Sequence, residues 1–315
     1  MTRRWSSKGG AFYPSRQGEP PPMSFFERDR PAAGGSTSAL ALDELGLILR
    51  RLPDDLAGFM RQRYGPYVND ALDPASADLV VDASADPTPY FIEPPREAEF
   101  NPVWIALEGT RVRYCGYTLA GWFDTATRRG AIVLGAGAYE PGPRALENYI
   151  RCAVAWCAAE RGGALVHGAS AVRRGKGYLF FGESGAGKST LSEVNRRAAV
   201  VSDDLSLLLP RPGGGLDLVG SPFRGTYEGG EPVVGRFPLA AAFRIVKAEA
   251  AAVRPAPRPV VFGQLVGNLT FVAEAFPQRS DLFARVEHAF ARVPLFHLEF
   301  RKDDSYWDAI DGAGL

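Results

Sequence analysis

Residues 181–190 read FGESGAGKST, and their spacing fits G-x-x-x-x-G-K-[ST]. Gly182, Gly185 and Gly187 allow a tight backbone turn whose N–H groups point inward, which makes a concavity for an anion. Glu183, Ser184 and Ala186 fill the loop between them. Lys188 is placed to reach the outer phosphates of a nucleotide, the Ser189 hydroxyl is a hard oxygen ligand for Mg²⁺, and Thr190 follows it. A glycine-rich turn that matches by chance is the plain alternative. The flanks favour the phosphate loop: GYLFFG before it is short and apolar like a buried strand, and KSTLSEVNRR after it opens like a helix, whose N-terminus adds positive potential.

Two more groups of residues could share the chemistry. In VVSDDL, Asp203 and Asp204 end an apolar run only a short way after Ser189, whereas most phosphate-loop ATPases and GTPases carry the second acidic motif much further on. One carboxylate can hold Mg²⁺, directly or through water, while the other accepts a proton from an incoming hydroxyl. The alternative is an Asp-Asp turn that caps the strand. In LVHGAS, His167 precedes the loop's strand by one hairpin length, so it can line the same site or serve only the structure. Arg224, in SPFRGTYEGG, is the candidate to offset charge on a transferring phosphoryl group, with Arg236 and Arg244 as weaker ones; a solvated loop charge is the other reading.

The elements that must position these groups form two sets. Residues 143–161 predict a helix, PRALENYIRCAVAWCAAER, with Pro143 in its first turn and Gly162-Gly163 at its end. GALVHGASAV, GYLFFG and AAVVSDD follow as three strand signals, and DLFARVEHAFARVPLFHLEF closes the chain as helix then strand. Ahead of them, 38–64 has apolar residues at helical spacing broken at Pro53, which predicts two short helices. Short strand-like runs from 78 to 135 predict a small antiparallel β layer. Residues 1–37, rich in Arg, Gly, Pro and Ser, read as a disordered tail. RPAPRPVVFG at 254–263 reads as a stiff connector. The expected division is therefore a tail (1–37), an α+β N-terminal domain (38–142) and an α/β domain (143–315).

Composition narrows the function classes. The 315 residues carry 36 Lys and Arg against 36 Asp and Glu, a formal net charge of +0, so no global basic field exists to hold nucleic acid. No apolar run approaches the ~18 residues of a membrane span, and no apolar segment follows the basic N-terminus as in a secretory signal. Three cysteines, Cys115, Cys152 and Cys157, are too few for a disulfide framework and read as buried small residues. A cytoplasmic protein without nucleic-acid or membrane partners is the expectation.

LVHGASAV, GYLFFGESGAGKST and VVSDDLSLL, in that order and closely spaced, resemble the C-terminal domain of HPr kinase/phosphorylase and its relatives. The set is similar, more distantly, to the core of phosphoenolpyruvate carboxykinase. The resemblance covers roughly 150–315. It implies a compact α/β nucleotide-binding core with ATP on Gly182 to Thr190 and Mg²⁺ on Ser189 with Asp203 or Asp204. The other aspartate would be the base that activates an acceptor hydroxyl, and His167 would lie near the transferred phosphate. Thr190 stands where HPr kinases carry Glu, and 220–238 lacks their glycine-rich signature, so the resemblance points to a relative rather than to an HPr kinase proper. Relatives of this fold often assemble into oligomers. The function expected is a Mg-ATP-dependent kinase acting on a hydroxyl of a protein, peptide or small molecule. A nucleotide-binding sensor or assembly protein, or an ATPase or GTPase that drives a partner, are the alternatives.

Overall fold

The computed structural model describes residues 3–5, 13–14, 20–95 and 103–315. The chain is mixed α/β, with two sheets and several helices, and it divides into two compact units, Met1–Cys157 and Ala158–Leu315. Among the described residues no helix is long and apolar enough to cross a membrane.

The first unit contains β1 (Arg3–Trp5), β2 (Tyr13–Pro14), α1 (Met23–Phe26), β3 (Ser36–Leu42), β4 (Leu45–Leu52), α2 (Asp54–Tyr64) and β5 (Leu79–Asp86). It continues with β6 (Val103–Glu108), β7 (Arg111–Cys115), β8 (Leu119–Asp124), β9 (Arg129–Gly135) and α3 (Gly142–Glu160), within which the division falls. The nine strands form one sheet in the order β2-β1-β6-β7-β8-β9-β5-β4-β3. Helix α3 packs its Tyr149 ring against Tyr114 and Phe123 and donates the phenol to Trp122 O at 3.2 Å. Gly121 makes room for that ring: a Cβ there would stand 2.8 Å from it.

Several sequence expectations are corrected here. The first helix expected in 38–64 is the hairpin β3–β4, turned at Asp43 with φ 57°. SALALDELGLILRRL satisfies both periods, and the tie goes to the strand because β4 also pairs parallel with β5. The sheet is mixed rather than antiparallel, since β5 is parallel to both β4 and β9. Residues 20–37 of the expected tail are ordered by α1, a bridge from Ala32 to Ser84, and the start of β3; backbone at 3–5 and 13–14 is in strands, and the remainder of the tail lies outside the described residues. Most of α3, expected to open the C-terminal domain, belongs with the first unit.

The second unit contains β10 (Ala164–Arg173), β11 (Lys176–Phe181), α4 (Lys188–Val194), β12 (Ala199–Ser202), β13 (Leu205–Pro210), β14 (Leu216–Val219) and β15 (Arg236–Lys247). After them come β16 (Ala252–Pro255), α5 (Arg258–Val266), α6 (Ser280–Phe290), β17 (Leu295–Phe300) and α7 (Tyr306–Gly312). The sheet order is β11-β10-β13-β14-β15-β17-β16, with β12 on β10, and a further pairing of β11 with β15 closes a ring of five strands. β11, β15 and β17 run parallel, so their C-terminal ends open on the same side. The expected connector at 254–263 is instead the end of β16 and the start of α5, since Pro259 suits a first helical turn.

Phe180 stacks on Phe243 at 5.5 Å in the core, with Tyr306 and Trp307 edge-on to Phe180. Trp307 donates its indole N–H to Asn195 Oδ1 at 3.0 Å, and Asn195 caps the end of α4. Arg173 holds Asp311 through two bonds of 2.8 and 2.7 Å and lies over the Trp307 ring. The C-terminal helix thereby braces both β10 and the helix that follows the glycine loop.

Candidate functional site

The loop 182–187 joins β11 to α4 at the C-terminal end of the parallel strands, the edge of an α/β sheet where ligands characteristically bind. Gly185 and Gly187 have φ of 76° and 112°, and a Cβ on Gly187 would also sit 3.3 Å from the Phe300 ring. Ala186 packs toward the core. Glu183, Ser184 and Gly185 face solvent, Ser189 is exposed in the first turn of α4, and Thr190 is half-buried. Lys188 is buried and donates to the carbonyls of Gly182 (2.8 Å) and Glu183 (3.2 Å). Burial pulls its pKa below the ordinary lysine value, and the negative charge of Asp204 pushes the other way. Lys188 and Asp204 therefore share one electrostatic neighbourhood.

The two adjacent aspartates are used differently. Asp203 is 3% exposed. Its Oδ1 accepts the N–H of Gly225 at 2.7 Å, and its Oδ2 accepts those of Thr226 and Tyr227 at 3.0 and 3.1 Å. Asp204 keeps its side chain 30% exposed, with Oδ1 3.6 Å from His167 Nε2. The divergence starts at Ser202, a residue the sequence reading did not single out. Its buried hydroxyl donates to Phe223 O at 2.7 Å and accepts the N–H groups of Asp204 and Leu205, both at 3.0 Å. A serine directly before a turn is the signal that could have found it.

His167 reaches Asp204 through strand register. His167 pairs with Leu205 across β10 and β13, and Gly168 donates its N–H to Asp204 O at 2.9 Å. The next pair along β10, Gly168 with Phe181, leads straight into the glycine loop. The three sequence groups thus meet through β10, which borders both β11 and β13. Ser206 beneath them donates to Gly168 O at 2.7 Å and contacts the Ser170 hydroxyl at 2.7 Å, so the floor of the site is a satisfied polar layer.

Arg224, the sequence candidate for offsetting phosphoryl charge, is engaged by its own loop. All five of its N–H donors are used on backbone: Nε on Val201 O, one terminal nitrogen on Gly229 O and Gly230 O, the other on Val200 O and Glu231 O. Arg236 is likewise structural, paired with Asp217 at 3.1 Å and bonded to Pro210 O. The guanidinium beside the loop is Arg244, 3.5 Å from Glu183 and in register with Phe181 on one side and His297 on the other. Burial, helped by the charge of Arg244, lowers the His297 pKa. Only the pairing of distant strands brings Arg244 to the loop, which is why sequence spacing ranked it low.

Among the described residues no group of three or more His, Cys, Asp and Glu is arranged to hold a metal. Ser189 is exposed and Asp204 keeps part of its carboxylate in solvent, so both are oxygen donors open to solvent. The arrangement offers a glycine loop with a buried ammonium, one accessible carboxylate against an imidazole, and a guanidinium at the rim. No protein-family model and no curated protein matches the chain.

Proposed function

We propose that the second unit is a Mg-ATP-dependent kinase of the HPr kinase-like type, which passes the γ-phosphoryl group to a hydroxyl on a protein, a peptide or a small molecule. The observation that carries this reading is the division of labour in the aspartate pair. Asp203 holds the 225–227 backbone, while Asp204 stands accessible beside His167 and within the field of Lys188. A site that only sensed a nucleotide would have no use for an accessible base next to an imidazole.

The roles follow from the chemistry of each group. The loop N–H groups and Lys188 bind phosphate oxygens, with the ammonium leaving the Gly182 and Glu183 carbonyls to do so. Ser189 and Asp204 Oδ2 are the ligands to which Mg²⁺ fits, and the bound ion would neutralise charge on the phosphates. The acceptor oxygen attacks the γ-phosphorus, the bond to the ADP oxygen breaks, and the acceptor's proton passes to the Asp204 Oδ1–His167 pair. Arg244, beside Glu183 of the loop, would steady the nucleotide.

Purified protein with Mg²⁺ and γ-labelled ATP, in host lysate cleared of nucleotides, tests the reading. Label is expected on a discrete acceptor and is expected to vanish in Asp204→Asn while ATP binding persists. No label anywhere with ATP binding intact would replace the kinase by a nucleotide-binding sensor. Steady acceptor-independent release of phosphate would replace it by an ATPase.

A further inference from the structure

Two cations border the glycine loop, and one loop residue holds both. Lys188 Nζ donates to the Glu183 carbonyl at 3.2 Å as well as to that of Gly182. Arg244 Nη2 donates to the Glu183 carboxylate, at Oε1, over 3.5 Å. Glu183 also shapes the turn itself, since its carbonyl accepts the Ala186 N–H at 3.1 Å.

The surroundings of these groups are unequal. Lys188 is buried and the Arg244 side chain is 23% exposed, whereas that of Glu183 is 88% exposed. Among the described residues Glu183 is the one carboxylate paired with Arg244. Strand register tethers Arg244 between Phe181 and His297, so its guanidinium stays beside the loop whichever anion it meets. A carboxylate this exposed, 3.5 Å from a guanidinium, is a loose partner and readily exchanged. A phosphate oxygen offers the same anionic chemistry with better geometry, because phosphates accept the guanidinium fork through paired bonds.

We propose that Glu183 is a built-in competitor for the nucleotide's phosphates: its carboxylate occupies Arg244 and is displaced by a phosphate oxygen, so Glu183 sets how tightly the loop holds ATP. The inference rests on the nucleotide reading of the loop. Its effect runs opposite to that of the neighbouring residues. Removing Lys188 or Arg244 takes a cation away from the phosphates, whereas removing the Glu183 charge frees one. Apparent affinity falls by the fraction of molecules in which Arg244 is free to bind. The strength of an exposed pair limits that loss to about twofold to fivefold. Glu183→Gln tests the carboxylate alone, because the contact with Lys188 is made by the backbone carbonyl.

Calorimetric titration of the full chain with MgATP tests it, in a double-mutant cycle of Glu183→Gln and Arg244→Met. Arg244→Gln covers the case in which Arg244→Met does not fold. Glu183→Gln alone is expected to tighten MgATP about twofold to fivefold. In the Arg244→Met background the same substitution is expected to leave the affinity unchanged. That second half of the cycle separates exchange at Arg244 from the mere loss of a negative charge near the phosphates, which would tighten binding equally in both backgrounds. Equal tightening, no tightening, or weaker binding by Glu183→Gln would overturn the inference and leave the nucleotide site standing. Absence of MgATP binding in every variant and in the wild type would overturn both.

Discussion

Asp203 and Asp204 are identical in type and adjacent in sequence, but they have opposite surroundings. Asp203 has both oxygens on backbone N–H groups of 225–227, so its first effect is on stability. Asp203→Asn would turn an NH₂ toward donors that need an acceptor. Leaving such buried donors unmatched costs about 1–3 kcal/mol, and the 225–235 segment is expected to become a site of proteolytic cleavage. Arg224→Lys is expected to free the same segment, because an ammonium cannot reproduce the five carbonyl bonds of the guanidinium. Asp204→Asn, at a partly exposed carboxylate beside His167, is expected to lower the melting curve less than Asp203→Asn and to leave the cleavage pattern unchanged. Denaturation curves and limited proteolysis of the three variants check this; a fall in stability for Asp204→Asn equal to that of Asp203→Asn would refute the assignment. Types and spacing made the loop, the aspartate pair and His167 legible in the sequence. The split between the aspartates and the engagement of Arg224 by its own loop were not, because both depend on which backbone lies within hydrogen-bond reach after folding.

At the scale of elements, the glycine loop is held in one conformation by backbone geometry and by the end of β17. Gly187 has φ 112°, a region closed to other residues, and Phe300 crowds the space a Cβ would take. Gly187→Ala is expected to cost about 1–3 kcal/mol and to abolish ATP binding, whereas Gly185→Ala, with open space at its Cβ, is strained by its φ alone. Relieving the crowding with Phe300→Leu should not restore Gly187→Ala, since the backbone strain remains. Equilibrium denaturation and nucleotide titration of the single and double variants decide this. The end of β5 offers a pH test. Asp86 is held down to a pKa of about 2, from 3.8, by Thr88 and Arg30. A carboxyl depressed on folding stabilises the protein above its unfolded pKa and ceases to do so as pH falls through its folded one. The contribution of Asp86 is thus whole above pH 3.8 and lost on descent toward about 2, so acid melts of wild type and Asp86→Asn should converge there. Arg30, which also bonds Phe25 O and lies over the Phe25 ring, carries the same tie into a segment whose composition reads as tail. Local composition is blind to a bond that spans 56 residues, and the β3–β4 hairpin misread as a helix is the same failure: its partner β5 is non-local.

At the scale of the molecule, each unit has its own buried core, the candidate nucleotide site lies in the second, and ligands stabilise what they bind. A ligand at a hundred times its Kd adds about 2.7 kcal/mol to the folded state that holds it. Peptide-resolved hydrogen exchange on the full chain separates the units without cutting α3, which belongs to both. A non-hydrolysable ATP analogue with Mg²⁺ is expected to slow exchange in 165–210 and 220–247, where β10, β11, the aspartate turn and Arg244 lie. It should leave 112–145 unchanged. Trp307, the one tryptophan of the second unit, gives an independent optical check, since its indole reports on the brace between α7 and α4. Protection confined to the first unit would remove the nucleotide from the glycine loop.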